Sequence, residues 1–229
     1  MQGLARWPTV WQIAIKPCKL RSGKGGQTIS IYQLKPRFQA LLRPVVAQLD
    51  RMGTTANAVT LFAMFVSCAL GIFLFAYPSP RLFLLLPFWM VLRMALNAVD
   101  GMLAREFGRK SPLGAYLNEL TDVVSDAALY LPFVMIAPFG WGSVAGVIFL
   151  SALSEMTGAL GPMVGVERRY DGPMGKSDRA FMFGALGLWL GVAGSLPGWA
   201  FWIMPAVALL IVINIVNRIR NALQQLPGS

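Results

Sequence analysis

Four carboxylates, Asp100, Glu119, Asp122 and Asp126, fall within a stretch flanked on both sides by long apolar runs. A carboxylate at bilayer depth is costly unless it is paired, wetted or bound to a cation. On a helix Arg93, Asn97 and Asp100 share a face, at spacings of four and three. Asn118, Asp122 and Asp126 follow at spacings of four, with Glu119 three residues before Asp122. Carboxylates and amide carbonyls converging in a chain without His suit a hard divalent cation: Mg²⁺, Mn²⁺ or Ca²⁺. A zinc site is excluded on the same ground, because Cys18 and Cys68 are the only sulfur ligands and lie far apart. The residue types leave three readings open: a metal site acting on a phosphate-bearing substrate, an ion or proton path across a membrane, and a structural polar network. In the last, Arg93 pairs with Asp100.

The elements that must position these groups are membrane helices. Hydrophobic residues make up 56% of the 229 and charged residues 13%, which excludes a disordered or ordinary soluble chain. The apolar blocks predict six spans, roughly 56–77, 82–104, 113–137, 142–163, 180–195 and 199–217. The fold class expected is therefore all-α and integral to the membrane. The net charge of +10 is not a nucleic-acid signature here, because of its placement. Basic residues crowd the segment before the first span, the loops after the second and fourth, and the tail. By the positive-inside rule both termini and the constellation face the cytoplasm. Residues 1–29 read as a basic flexible tail, and 30–229 as one membrane domain with its six-helix part at 53–220. Within it, Ile31, Leu34, Phe38, Leu41, Leu42, Val45 and Leu49 recur at helical spacing. They predict an amphipathic interfacial helix over 30–52 with Pro36 in its first turn and a kink at Pro44. Thr54 or Thr55 is expected to cap the first span. The short link between the second and third spans predicts an antiparallel hairpin whose polar faces meet.

The stretch from Asn97 to Asp122 resembles the signature of the CDP-alcohol phosphatidyltransferase family, D-x2-D-G-x2-A-R-x8-G-x3-D-x3-D. Asp100-Gly101, Ala104-Arg105, Gly114 and Asp122 match in type and spacing, and Asn97 and Asn118 stand where the family has its first and third aspartates. The resemblance implies two divalent cations, Mg²⁺ or Mn²⁺, held by the four motif positions, with Asp122 deprotonating the acceptor alcohol. It implies a phosphatidyl group transferred from CDP-diacylglycerol, a membrane lipid, to a polar alcohol with release of CMP, and a homodimer. Gly101, Ala104 and Gly114 would make room for the cytidine, and Arg105 would meet a phosphate. Transfer from a soluble CDP-alcohol to a lipid acceptor, or a silent lipid- or nucleotide-binding relative, are the alternatives. The two asparagines remove charge from the metal site, and Glu119 and Asp126, on the same helix, are the residues able to restore it.

"YDGPMGKSDRA", residues 170–180, supplies the acceptor side. Lys176 and Arg179 are the candidates for binding the acceptor or its phosphate, against the plainer reading of positive-inside charge, and Ser177 is placed to cap the next helix. Glu155, inside the fourth span, would line the acceptor pocket or pair with Arg93. Basic inner loops and no disulfide pair indicate a bacterial plasma membrane.

Overall fold

The computed structural model of the protein describes residues 34–108 and 110–226. The basic tail and the first residues of the expected interfacial helix lie outside them. The chain divides into Met1–Arg37 and Phe38–Ser229. Of the first unit only Leu34–Arg37 is described, as the opening turn of a helix.

Seven α-helices follow in order: α1 (Leu34–Arg51), α2 (Ala56–Ala76), α3 (Leu85–Glu106), α4 (Pro112–Tyr130), α5 (Trp141–Ala159), α6 (Lys176–Ala193) and α7 (Ile203–Leu223). No strand occurs among the described residues. α1 runs through Pro44 without a break. Thr55 caps α2, accepting from the Ala58 N–H at 3.2 Å. Ser111 caps α4, accepting from the Gly114 N–H at 2.9 Å, with Pro112 at the first position where its missing N–H costs nothing.

Several helix ends differ from the hydropathy blocks for local reasons. α4 stops at Tyr130, not 137, because Pro132 cannot supply a helical N–H, and the chain tightens into a 3₁₀ turn over Leu131–Met135. α5 gives way to a 3₁₀ turn, Gly161–Val164, that contains Pro162. α6 begins four residues before the apolar block. Its N-cap is Gly175, whose N–H donates to Asp178 Oδ2 at 3.0 Å, so Asp178 serves where Ser177 was expected.

Among the described residues four segments are long and apolar enough to cross a membrane: Ala56–Ala76, Pro80–Glu106, Trp141–Val164 and Gly198–Leu223. α4 and α6 are not among them, and each carries three charged residues. These two helices hold most of the constellation.

α2 packs against both α3 and α4. Its approach to α4 is backbone-close at Gly71, where a Cβ would meet the Ala128 carbonyl oxygen at 2.2 Å. α3 and α4 are antiparallel, since Arg93 reaches Asp126 while Asn97 reaches Asp122, but their backbones touch little. The expected hairpin is thus opened by α2, and its polar faces meet through side chains reaching from α3 to α4. Phe83, Tyr130, Phe133, Phe183 and Leu190 centre the larger apolar core, and Val46, Val59, Val99 and Leu103 a smaller one between α1, α2 and α3.

Gly71→Val should therefore destabilise the fold by about 1–3 kcal/mol or more, because the backbone contact leaves no room to give. Gly142→Ala, with nothing within 4 Å of the new Cβ, should not. Thermal unfolding in detergent checks both.

Candidate active site

Asp100 is buried on α3 and accepts a hydrogen bond from Thr60 Oγ1 of α2 at 2.7 Å. It makes no ion pair with Arg93. That arginine, 4% exposed, crosses to α4: Nη1 meets Asp126 Oδ1 at 2.5 Å, and Nη2 donates to the Asp122 carbonyl at 3.1 Å and approaches Asp122 Oδ1 at 3.4 Å. Asn97 Nδ2 approaches the same Oδ1 at 3.4 Å. The other oxygen of Asp122 forms an ion pair with Lys176 at the start of α6.

A second set of charges continues inward. Arg179 is fully buried, and its Nη2 donates to Glu155 Oε1 at 2.8 Å and stands 3.5 Å from Asp126 Oδ2. Glu155 also meets Arg168 at 3.3 Å and Arg218 at 3.8 Å. Arg168 pairs with Glu119 and lies over the Tyr170 ring at 4.9 Å. Arg218 donates to the Ser154 carbonyl. The loop before α6 is pinned by Asn214 of α7, which donates to the Pro173 carbonyl at 2.8 Å and accepts from Ser154 Oγ at 2.9 Å. Gly172 has φ +96°, and a Cβ there would sit 2.9 Å from the Asn214 Cα. Only glycine serves both demands.

Between these groups lies an open pocket of about 400 Å³. Asn97, Asn118 and Asp122 of the motif line it together with Arg168, Lys176 and Arg218. The structure thus gathers three of the four motif positions at one surface, with Asp100 one turn beyond Asn97. It sets the remaining candidates apart. Asp126 faces Arg93 and Arg179, Glu119 faces Arg168, and Arg179 is sealed from the pocket that Lys176 lines. Glu155 lines the pocket and pairs with Arg179, not Arg93. Gly114 accommodates Asn57, whose Oδ1 would be 2.8 Å from a Cβ there. The guanidinium of Arg105 folds back over Gly101, and Ala104 packs on the smaller core.

Sequence reasoning missed Thr60, Arg168, Arg218 and Asn214. Thr60 is silent inside an apolar run. The two arginines were absorbed into positive-inside charge, although Asn214 and Arg218 at a spacing of four carried a helix-face signal.

The donor set is compatible with a hard cation: it is oxygen throughout, and Asp100 and Asp122 are its two acids. Among the described residues no group of three His, Cys, Asp or Glu side chains is placed to hold a metal. That follows from Asn97 and Asn118, which offer carbonyl oxygens without charge.

Residues 53–215 match the family model described as CDP-alcohol phosphatidyltransferase. The chain is 42% identical over 198 residues to "Inner membrane protein YnbA" of Escherichia coli (strain K12), covering 85% of this chain and 97% of that one. It is 32% identical over 195 residues to an archaetidylinositol phosphate synthase of Aeropyrum pernix, covering 81% and 92%. The fold is similar to two crystal structures of the Mycobacterium tuberculosis phosphatidylinositol phosphate synthase. One has CDP-DAG bound, with TM-score 0.65 and 22% identity over 81% of this chain and 94% of that one. The other is in complex with manganese and citrate, with TM-score 0.66 and 21% identity over 81% and 90%. With its motif spacing kept and the model matched from the start of α2 into α7, this chain belongs to the CDP-alcohol phosphatidyltransferase family.

Proposed function

We propose that this protein moves a phosphatidyl group from CDP-diacylglycerol to a polar alcohol and releases CMP, at a site facing the cytoplasm. The observation that carries the reading is one pocket lined both by the motif's Asn97, Asn118 and Asp122 and by the cations Arg168, Lys176 and Arg218. Such a pocket suits two substrates: a pyrophosphate donor held at the motif, and an acceptor bearing a phosphate or similar anion held by the cations. The names of the archaeal and mycobacterial relatives, which make inositol phosphate lipids, support an acceptor of that class.

Asp100 and Asp122, with the amide oxygens of Asn97 and Asn118, are the residues we assign to the cation site. Mg²⁺ or Mn²⁺ bound there supplies charge neutralisation for the pyrophosphate and the leaving CMP. Asp122 is the general base: its carboxylate takes the proton of the acceptor hydroxyl as that oxygen forms its bond to the β-phosphorus, and the bond to the CMP oxygen breaks. Thr60 orients Asp100 through its hydroxyl. Lys176 holds the acceptor, and Arg179 supports Lys176 from within by tying the start of α6 to Glu155. Gly101, Ala104, Arg105 and Gly114 keep the nucleotide side of the reading, with Arg105 free to swing from Gly101 toward a phosphate. Glu119 and Asp126 stay outside the ligand set, because arginines already engage them.

The same reading includes six spans over α2–α7, the amphipathic interfacial helix ahead of them, a single membrane domain from residue 30 with a basic tail before it, a bacterial inner membrane and a homodimer. Burial of Asp126 on α4 and of Arg179 on α6 against neighbouring helices supports counting them as spans, since those charges then meet protein and not lipid.

CMP release from CDP-diacylglycerol, measured with Mg²⁺ or Mn²⁺ over a panel of phosphorylated and plain polyols, tests the activity. Release should require one acceptor, and Asp122→Asn should lower it roughly 10²–10⁴-fold. Release from no donor and acceptor pair would leave a silent relative. Lys176→Ala should raise the KM of the acceptor roughly tenfold, the loss of one charge-assisted hydrogen bond, and change that of the lipid donor little. An equal rise for both substrates would assign Lys176 to the donor.

A further inference from the structure

The arginine on α3 is not needed to satisfy Asp126 alone. Asp126 is buried, and its second oxygen already has Arg179 of α6 nearby. What Arg93 adds is a fork. One guanidinium nitrogen takes Asp126 Oδ1, and the other reaches the backbone carbonyl and the carboxylate of Asp122, one turn earlier on α4. The carbonyl of Asp122 is where the helix accepts its own bond from residue 126, so the fork grips two successive turns of α4 at the backbone as well as at the side chains. Because α3 and α4 touch so little elsewhere, the grip fixes their separation at the level of the pocket.

The consequence falls on Asp122. Its Oδ1 faces two donors from α3, Arg93 and Asn97, while its Oδ2 turns toward Lys176 on the pocket side. A planar guanidinium can hold two acceptors at once in fixed directions, whereas a lysine ammonium is a single point charge. A carboxylate free to rotate presents either oxygen. One with Oδ1 held presents the other.

We propose that Arg93 is a positioning residue for the transfer: anchored by Asp126, it holds Asp122 so that Oδ2 faces the acceptor pocket. This gives Asp126 a role as the anchor of that arginine. The inference rests on Asp122 being the base, as argued under the proposed function.

Purified wild-type, Arg93→Lys, Asp126→Asn and Asp122→Asn proteins in the same detergent, compared for kcat, for the KM of CDP-diacylglycerol and for thermal midpoint, provide the test. Arg93→Lys keeps the positive charge beside Asp126 but loses the second arm. It should stay folded, keep the donor KM within about threefold, and lose kcat by about 10- to 100-fold, the scale set by misplacing a reacting group. Asp126→Asn, which loosens the anchor, should show the same split to a smaller degree, and it decides the matter should Arg93→Lys fail to fold. A kcat at the wild-type level in the folded variant, or a loss carried in donor KM alone, overturns the proposal and leaves Arg93 a structural cation. Asp122→Asn separates the two ideas. If it turns over like wild type, the assignment of the base has failed; if it is inactive while Arg93→Lys is fully active, only the positioning role has.

Discussion

Charges placed at membrane depth must find partners, and here the partners are on other helices. Arg93 of α3 meets Asp126 of α4, which stands near Arg179 of α6, which binds Glu155 of α5, which in turn lies beside Arg218 of α7. Five helices are joined by one run of ion pairs. Removing one member of a buried pair costs about 3–5 kcal/mol, because it strands the other charge. α2, which contributes no ion-pair member to this run, is held by close backbone contact at Gly71 and by the hydroxyls of Thr60 and Ser67, the latter accepting from Trp89 Nε1 at 2.9 Å. The pocket is the space these constraints leave between α3, α4, α5, α6, α7 and the loop before α6.

The same pairing decides which acids remain for chemistry. Glu119, Asp126 and Glu155 each have an arginine against them. Asp100 accepts from a threonine hydroxyl beside the pocket, and Asp122, although Arg93 reaches its Oδ1, turns its Oδ2 to a mobile type of side chain, lysine. A helix that looks densely acidic in sequence thereby offers a sparse, specific site. The two asparagines fit this economy: they add oxygen donors to the pocket without adding charge.

The family motif was legible because its information is local. The spacing of Asp100-Gly101, Ala104-Arg105, Gly114 and Asp122 is read along the chain, and so are the caps at Thr55 and Ser111. What escaped was partner choice across helices. Arg93 and Asp100 share a helix face, but seven residues of rise hold them roughly 10 Å apart along the axis. The antiparallel helix brings Asp126 much nearer. Likewise nothing local announces that α2 brings Asn57 beside Gly114. Lys176 and Arg179 differ by three positions and looked equivalent, yet one lines the pocket and the other is sealed beneath it. Helical phase alone could not say which, because the loop that starts α6 sets that phase through Asp178.

We assign Asp100 and Asp122 as the two carboxylates left to hold a cation, since Glu119 pairs with Arg168 and both oxygens of Asp126 and of Glu155 face arginines. Mn²⁺ binding followed by electron paramagnetic resonance, with CDP-diacylglycerol present, tests the assignment on wild-type, Asp100→Asn and Glu119→Gln proteins. Asp100→Asn should abolish saturable binding while Glu119→Gln binds as wild type does. Binding that survives in Asp100→Asn but is lost in Glu119→Gln would overturn the assignment.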